Sequence, residues 1–364
     1  MTPDRREARR QALLELLRGR ELDGLIVTTL PNVRYLTGFT GSAAVVVVLA
    51  EATLFFSDFR YLTQSAAEVG DCARIEITSD DIWQRVRKVL GEYAGLRRLG
   101  YESHTVTVAQ RDRIEAASGR SALHAVRDLV EGLRVSKDEG EVAAIRAAAR
   151  LAADALEATL AEVHPGQSEL EIAAGLEREL RQRGSEWHPF QTTVASGPQS
   201  ALPHARATAR EVAAGELLLL DFGAQVDGYC ADVTRTVVVG RPADERQRTI
   251  YELVREAQLA AREGLRAGMT GRQADGLARS VIEARGFGDA FGHSLGHGLG
   301  LVVHEAPRLS RTNEEPLPER AVVTIEPGVY VEGWGGVRIE DDALLNADGI
   351  ELLSDGATEL RELT

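Results

Sequence analysis

The sequence predicts two domains, an α/β domain over residues 1–127 and an α+β domain over residues 128–364 that contains an internal repeat. Three observations carry this expectation. With 364 residues, 44% of them hydrophobic, the chain is too long for one ordinary core and long enough for two. Strand and helix patterns alternate through the first third, as they do when helices pack on a sheet. Beyond the charged, glycine-containing stretch RDLVEGLRVSKDEGE the helical patterns lengthen, and then they recur at a fixed offset.

In the first domain, RREARRQALLELLRGR predicts a helix over 5–18, followed by the strand LDGLIVTTL and a turn at Pro31-Asn32. The segment NVRYLTGFTGS, residues 32–42, reads as a loop rich in Gly and Thr. AAVVVVLAEATLFFSD reads as two buried strands joined at Ala50-Glu51. A helix begins at about Phe59, and strands near 74–78 and 99–102 alternate with helices near 80–93 and 108–118. Arg34, Tyr35, Asp58 and Arg60 read as surface and turn residues.

In the second domain, helices over 141–162 and 244–266 each lead through a glycine turn into a second helix closed by glycine. Aligning Gly166 with Gly268 places Ser168 on Thr270 and Gly184 on Gly286. Ser168 with Glu171 and Thr270 with Gln273 have the capping-box form. Each copy continues into strands, so two halves related by a pseudo-two-fold axis are expected.

The strands carry the acids. In LLLLDFGAQVDGYCADVTR, Asp227-Gly228 is a two-residue hairpin signal. Pairing about that turn sets Asp221 opposite Thr234 and Asp232 opposite Gly223. Asp221 and Asp232 then leave the same face as diagonal neighbours, roughly 7–8 Å apart. Two anions so placed repel unless a cation, a shared proton or an arginine lies between them. A second hairpin, AVVTIEPGVY and GGVRIEDDALL about EGWGG, places Glu326 and Glu340 equidistant from Gly333. Four acids thus meet on the pseudo-axis.

Three histidines, His293, His297 and His304, fall in FGHSLGHGLGLVVHE, and His204 lies in SALPHA. Glycines 292, 296, 298 and 300 leave room for backbone or substrate to approach. Four carboxylates and one imidazole form a hard donor set suited to a pair of divalent ions, and Mn²⁺, Co²⁺ and Zn²⁺ all satisfy it. Cys230, two residues before Asp232, reads as a small buried hydrophobe.

Composition narrows the partners and the setting. A net charge of −14 argues against nucleic acid or an anionic membrane as the main partner. Two cysteines, Cys72 and Cys230, are too few for a disulfide framework and fit a reducing compartment. No signal-peptide h-region opens the sequence, and no apolar run approaches the roughly 18 residues of a membrane span. A cytoplasmic location is expected.

Asp221, Asp232, His297, Glu326 and Glu340, in the contexts LLLLDFGA, YCADVTRT, SLGHGLGL, TIEPGVY and GVRIEDD, resemble the five metal ligands of the pita-bread metallopeptidases. The likeness is strongest to the proline-specific branch, the Xaa-Pro dipeptidases (prolidases) and aminopeptidases P. NVRYLTGFTGS and the DFRY segment resemble the creatinase-type N-terminal domain of that group, so the resemblance covers nearly the whole chain.

The resemblance implies that Asp221 binds one metal, that Asp232 and Glu340 bridge two, and that His297 and Glu326 hold the other, with Mn²⁺ the first expectation. It implies that Glu326 accepts the proton of the attacking water. His204, His304 and His293 would steady the substrate carbonyl and the tetrahedral intermediate. Arg338, two residues before Glu340 on the same strand face, is expected to pair with the ligand carboxylates at the substrate site. Arg308, in HEAPRLS, matches the position where some prolidases bind the substrate's terminal carboxylate.

The expected substrate is therefore a short proline-containing peptide, an Xaa-Pro dipeptide first and Xaa-Pro-Yaa or longer as the alternative. A homodimer is expected, in which the loop around Tyr35–Gly41 closes a partner's pocket. Remoter alternatives are a metal-free creatinase-like hydrolase, which lacks the full ligand set, and a non-enzymatic binding module, which has no use for four buried acids. A methionine aminopeptidase usually lacks an N-terminal domain of this size.

Overall fold

The computed structural model describes residues 3–354 and 356–364, and the chain divides into two compact units, Met1–Arg134 and Val135–Thr364. The first unit is built on a six-stranded sheet. Its spatial order is Arg74–Thr78, Thr53–Asp58, Val45–Leu49, Gly24–Val27, Arg98–Glu102 and Ala122–Val126. The run VVVVL is buried at every position, as a central strand covered on both faces must be. Val45 pairs with Phe56 and Val48 with Thr53, so the hairpin closes at Ala50-Glu51 as its sequence predicts.

Two features of this unit depart from the sequence reading. Pro31 does not mark a turn. It sits in the first turn of a helix, Leu30–Thr37, where its missing N–H costs nothing, and Gly38 closes that helix at φ 82°. Proline signals a turn and a helix start equally, and burial of Asn32, Val33, Tyr35 and Leu36 decides for the helix. Tyr35 is consequently buried, with its hydroxyl donating to the Leu133 carbonyl at 3.0 Å and the Arg9 guanidinium 4.0 Å from its ring centre. The strand Ala122–Val126 and the helix Leu129–Val135 were not anticipated, because ALHAV is a short edge strand with little apolar alternation. Asp58 and Arg60 satisfy each other at 2.8 Å.

The second unit is a duplication. Glu139–Leu160 and Glu169–Gln182 in one half correspond to Glu245–Gly264 and Gly271–Ala284 in the other. All four helices begin with complete capping boxes, at Asp138, Ser168, Asp244 and Thr270. Gly166 and Gly268, like Gly184 and Gly286, all hold positive φ, where a side chain would be strained.

One half's helices pack on a four-stranded sheet ordered Arg361–Leu363, Val233–Val239, Leu217–Phe222, Thr193–Ser196, with Ala148, Ala152, Leu176, Leu218 and Phe222 in one core. The other half uses a five-stranded sheet ordered Glu305–Leu309, Gly296–Gly298, Val322–Ile325, Asp341–Leu345, Ile350–Leu352. Val254, Ala278, Val323 and Ala343 lie in its core. No helix among the described residues is long and apolar enough to cross a membrane.

Both acidic hairpins keep the predicted register, and both are interrupted where the acids sit. In the first, Asp221 pairs with Thr234 and Val226 with Tyr229, while the ladder lapses around Gly223 and Asp232. In the second, Ile325 pairs with Asp341 and Gly328 with Arg338, while it lapses at Glu326-Pro327 and Ile339-Glu340. Proline has no N–H to give a ladder, which favours the second break. An interrupted strand bends, and that aims consecutive carboxylates at one point. The two hairpins join through a bridge, with the Glu340 N–H donating to the Thr234 carbonyl at 3.1 Å.

Asp227 and Gly228 at the first hairpin's tip have φ 48° and 77°, the double positive φ of a type I′ turn. Gly228→Val is expected to cost about 1–2 kcal/mol, read as a lower urea midpoint at unchanged slope. Asp227→Asn keeps a residue tolerant of positive φ and is expected to stay within about 0.5 kcal/mol of the parent.

Candidate metal centre and active-site cleft

The broken hairpins open onto a cleft of about 440 Å³ within the second unit, lined by Asp221, Asp232, Glu326, Glu340 and all four histidines of the sequence reading. One ligand atom each from Asp232, His297 and Glu340 fall within 4.8 Å of one another. His297 Nε2 is 3.6 Å from Asp232 Oδ2 and 3.4 Å from Glu326 Oε1. His297 Nδ1 lies 3.1 Å from the Gly298 carbonyl, which can only accept. Nδ1 therefore carries the proton, and Nε2 turns its lone pair toward the acids.

The flanking glycines make this placement possible. A Cβ on Gly296 would lie 2.0 Å from the Thr324 carbonyl oxygen, and one on Gly298 would lie 2.0 Å from that of Ala306. Only a strand without those side chains fits between its neighbours there.

The electrostatics of the floor are unfavourable without a cation. Burial first, and then the charges of neighbouring acids, hold the carboxyls of Asp232 and Glu340 well above the usual carboxylate range. Burial likewise pushes Glu326 up to about 7, with Arg338 opposing and Asp221 adding to the shift. Burial holds His297 down to about 4, so it is a neutral donor at neutral pH. Buried acids that resist ionising, beside an imidazole lone pair already turned toward them, match the donor set of a divalent-cation site.

A buried polar chain fixes the acids from behind. Arg338, 3% exposed, donates to Asp221 Oδ2 at 2.5 Å, to Thr234 Oγ1 at 3.0 Å and to the Tyr330 hydroxyl at 2.7 Å. Thr234 Oγ1 donates to Glu340 Oε2 at 2.5 Å. The Tyr330 hydroxyl, whose pKa burial drives up to about 12, lies 2.9 Å from His293 Nε2, and His293 Nδ1 lies 2.9 Å from the Ser294 carbonyl. Both nitrogens of His293 are thus engaged. His204 and His304 are exposed at the cleft wall and make no hydrogen bond among the described residues, although the His304 ring sits 4.4 Å from that of His297. Burial, and then the nearby Arg308 charge, keep His304 below its ordinary pKa.

The sequence reading missed several members of this assembly. Thr234 was legible in principle, since the register that located the acids sets it directly opposite Asp221. Asp342, fully buried, accepts the Asp232 N–H at 3.2 Å, and nothing in its strand pattern separated it from Asp341. Tyr330 lies in the strand Gly328–Val331, where an aromatic residue carries no signal of its own. Arg206 lines the cleft from a loop and carried no pattern at all. Arg308 stands on the strand beside His297, its direct cross-strand partner, with its side chain exposed to the cleft. Cys230 is buried, as its small apolar reading required.

A duplicated α+β unit whose acidic hairpins and His297 lone pair face one cleft has the donor set of a metal-dependent hydrolase. The model of metallopeptidase family M24 matches residues 143–347, and that of the creatinase/prolidase N-terminal domain matches residues 9–136. The chain belongs to metallopeptidase family M24. It is 35% identical to an Xaa-Pro dipeptidase of Pyrococcus furiosus over 97% of this chain and 99% of that one. An Xaa-Pro dipeptidase structure from Bacillus anthracis superposes with TM-score 0.94 at 37% identity, covering 98% of this chain and 100% of that one. The structure of an X-Pro aminopeptidase from Thermotoga maritima gives TM-score 0.89 at 36% identity, covering 94% and 98%.

A carboxyl whose pKa is raised by folding holds its proton more tightly folded than unfolded. Its contribution to stability is full below the ordinary carboxylate range and is lost as pH rises through the folded value. Glu326 titrates near 7, and Asp232 and Glu340 are shifted the same way, so this loss continues above neutrality. His293 and His297, both held down to about 4, act in the opposite sense, but only below the ordinary histidine range. The metal-stripped protein is therefore expected to melt several degrees lower at about pH 8.5 than at about pH 7. Excess Mn²⁺ should raise Tm more at the higher pH, because ions and protons compete for the same oxygens. An equal gain at both values would show that these acids do not hold the ion.

Proposed function

We propose that this protein is a dinuclear-metal exopeptidase that hydrolyses the Xaa-Pro bond at the N-terminus of short peptides, with Xaa-Pro dipeptides preferred. The observation that carries the proposal is the convergence of four carboxylates and the His297 lone pair in one cleft whose wall bears the exposed guanidinium of Arg308. Asp221, Asp232, His297, Glu326 and Glu340 would hold two divalent ions, Mn²⁺ before Co²⁺ or Zn²⁺. Bound there, such ions supply Lewis acidity toward the scissile carbonyl and acidify a water.

The chain's own groups complete the site. Glu326 Oε1 accepts from Thr324 Oγ1 at 3.1 Å, and Oε2 is assigned the proton of the attacking water, to be passed to the departing proline nitrogen. His304 and His204, whose ring nitrogens have no protein partner among the described residues, are assigned to the substrate carbonyl and the oxyanion that develops on it. His293 keeps Tyr330 and Arg338 in place behind Asp221. The substrate's free ammonium lies beside Asp221, so a chain with residues before the scissile one has no place for them. A homodimer in the cytoplasm completes the reading, with the stretch from Gly38 to Gly41, which follows the helix that buries Tyr35, offered to the partner's cleft. A monomeric mass in light scattering with full activity would reject the dimer.

Arg308 decides between dipeptides and longer peptides. A guanidinium beyond the proline position binds a terminal carboxylate through paired hydrogen bonds. The Pyrococcus and Bacillus relatives, both Xaa-Pro dipeptidases, support that use. The likeness to the Thermotoga X-Pro aminopeptidase supports a second reading, in which the peptide continues past an exposed arginine. The deciding assay offers the Mn²⁺-loaded enzyme an Xaa-Pro dipeptide and the matching Xaa-Pro-Yaa tripeptide. Dipeptidase action predicts a higher kcat/KM on the dipeptide. Arg308→Ala should then lower dipeptide kcat/KM by about 10- to 100-fold and the tripeptide value by less than about threefold. Equal losses would remove Arg308 from specificity.

A further inference from the structure

The acids of this chain are unevenly placed around the cleft. Of 364 residues 56 are Asp or Glu, yet none lies between Glu186 and Glu211, and none lies between Asp289 and Glu305. These two stretches supply the cleft wall above the acidic floor, including Phe190, His204, Arg206, His293 and His304. Glu305, at the end of the second stretch, is taken up elsewhere. Its side chain is buried, 3.6 Å from Lys137 Nζ, and it accepts the Val302 N–H at 2.9 Å.

Two guanidiniums stand on the wall, Arg206 within the first stretch and Arg308 just past Glu305. Arg206 and Arg308 are exposed, and neither side chain makes a hydrogen bond or ion pair among the described residues. Their neighbours behave differently. Arg210 pairs with Glu216 at 2.5 Å, and Arg338, the other arginine lining the cleft, is held by Asp221. In a chain of net charge −14, two cleft arginines that hydrogen-bond to no acid keep their donors for an anion from outside.

We infer that Arg206 is a specificity-determining residue alongside Arg308 and that the cleft prefers doubly anionic substrates, acidic Xaa-Pro dipeptides such as Glu-Pro or Asp-Pro. This rests on the proposed Xaa-Pro activity. The ammonium of such a dipeptide faces the acidic floor, its terminal carboxylate takes Arg308, and its acidic side chain takes Arg206 by a charge-assisted hydrogen bond. A neutral isostere leaves Arg206 solvated at little cost. The discrimination is therefore modest and sensitive to salt.

The test compares Glu-Pro with its isostere Gln-Pro. The parent enzyme is expected to favour Glu-Pro by about tenfold in kcat/KM, mostly through KM, with the ratio shrinking as salt is raised. Arg206→Gln should bring the ratio to about one through loss on Glu-Pro, and Arg206→Lys should retain part of it. Calorimetric binding of reduced-amide analogues of the two dipeptides reads the same preference without turnover. A parent ratio near one would overturn the inference, as would a ratio that Arg206→Gln leaves in place. Equal losses on both substrates would do the same, since Arg206 would then share the terminal carboxylate with Arg308. Failure to hydrolyse Ala-Pro would reject the peptidase reading instead, and the analogue pair would still decide this one.

Discussion

Acids crowded on one cleft floor, of which Asp232, Glu326 and Glu340 resist ionising, are the constraint around which the second unit is built. Asp232 and Glu340 are 5% and 2% exposed, and with Asp221 and Glu326 they face one cleft floor. Bringing such groups out of water and next to each other disfavours their ionised forms. A fold bears this only when a cation offsets the charge and when rigid neighbours stop the acids from swinging apart. The second condition is met by the protein itself.

That rigidity comes from polar groups with no freedom left. Arg338 reaches Asp221, Thr234 and Tyr330, Thr234 reaches Glu340, and Tyr330 reaches His293. One buried guanidinium thereby ties an acid of the first hairpin to residues of the second. Both donors and acceptors are satisfied along this chain, and that is the condition under which a buried polar network gives a unique arrangement. Thr324 extends the scheme, donating to Glu326 while accepting the His297 N–H. The orientation of the site is thus a property of the hairpins and not of mobile surface loops.

Duplication explains why such a site forms at all. Each half presents a hairpin whose ladder is interrupted at its acids, and a pseudo-two-fold arrangement brings the two interruptions together. A single hairpin can point two carboxylates at a spot but cannot surround it. The wall above the floor follows different rules. His204, Arg206 and His304 come from segments between the strands, and their side chains stay available to a ligand.

Several levels of this structure were legible in the residues because their physics is local. Asp227-Gly228 specifies a type I′ turn, the turn sets the register, and the register places Asp221 against Thr234. Ser168 with Glu171 and Thr270 with Gln273 cap the helices they were expected to cap. The clustering of the four acids follows from two such registers and one repeat, while His297 entered the set through the family resemblance. Local signals failed where one residue serves two structures, as Pro31 does in opening a helix, or where a strand is short and half-exposed, as Ala122–Val126 is.

What the tertiary structure alone decided are contacts between elements that share no register. Which of the ligand carboxylates Arg338 grips, that Tyr330 reaches His293, and that Arg206 reaches the cleft depend on how separate hairpins and loops are packed. Periodicity and turn chemistry constrain neighbours within a ladder. The distance between two ladders is set by the volume and shape of the cores beneath them, which no short stretch of sequence encodes.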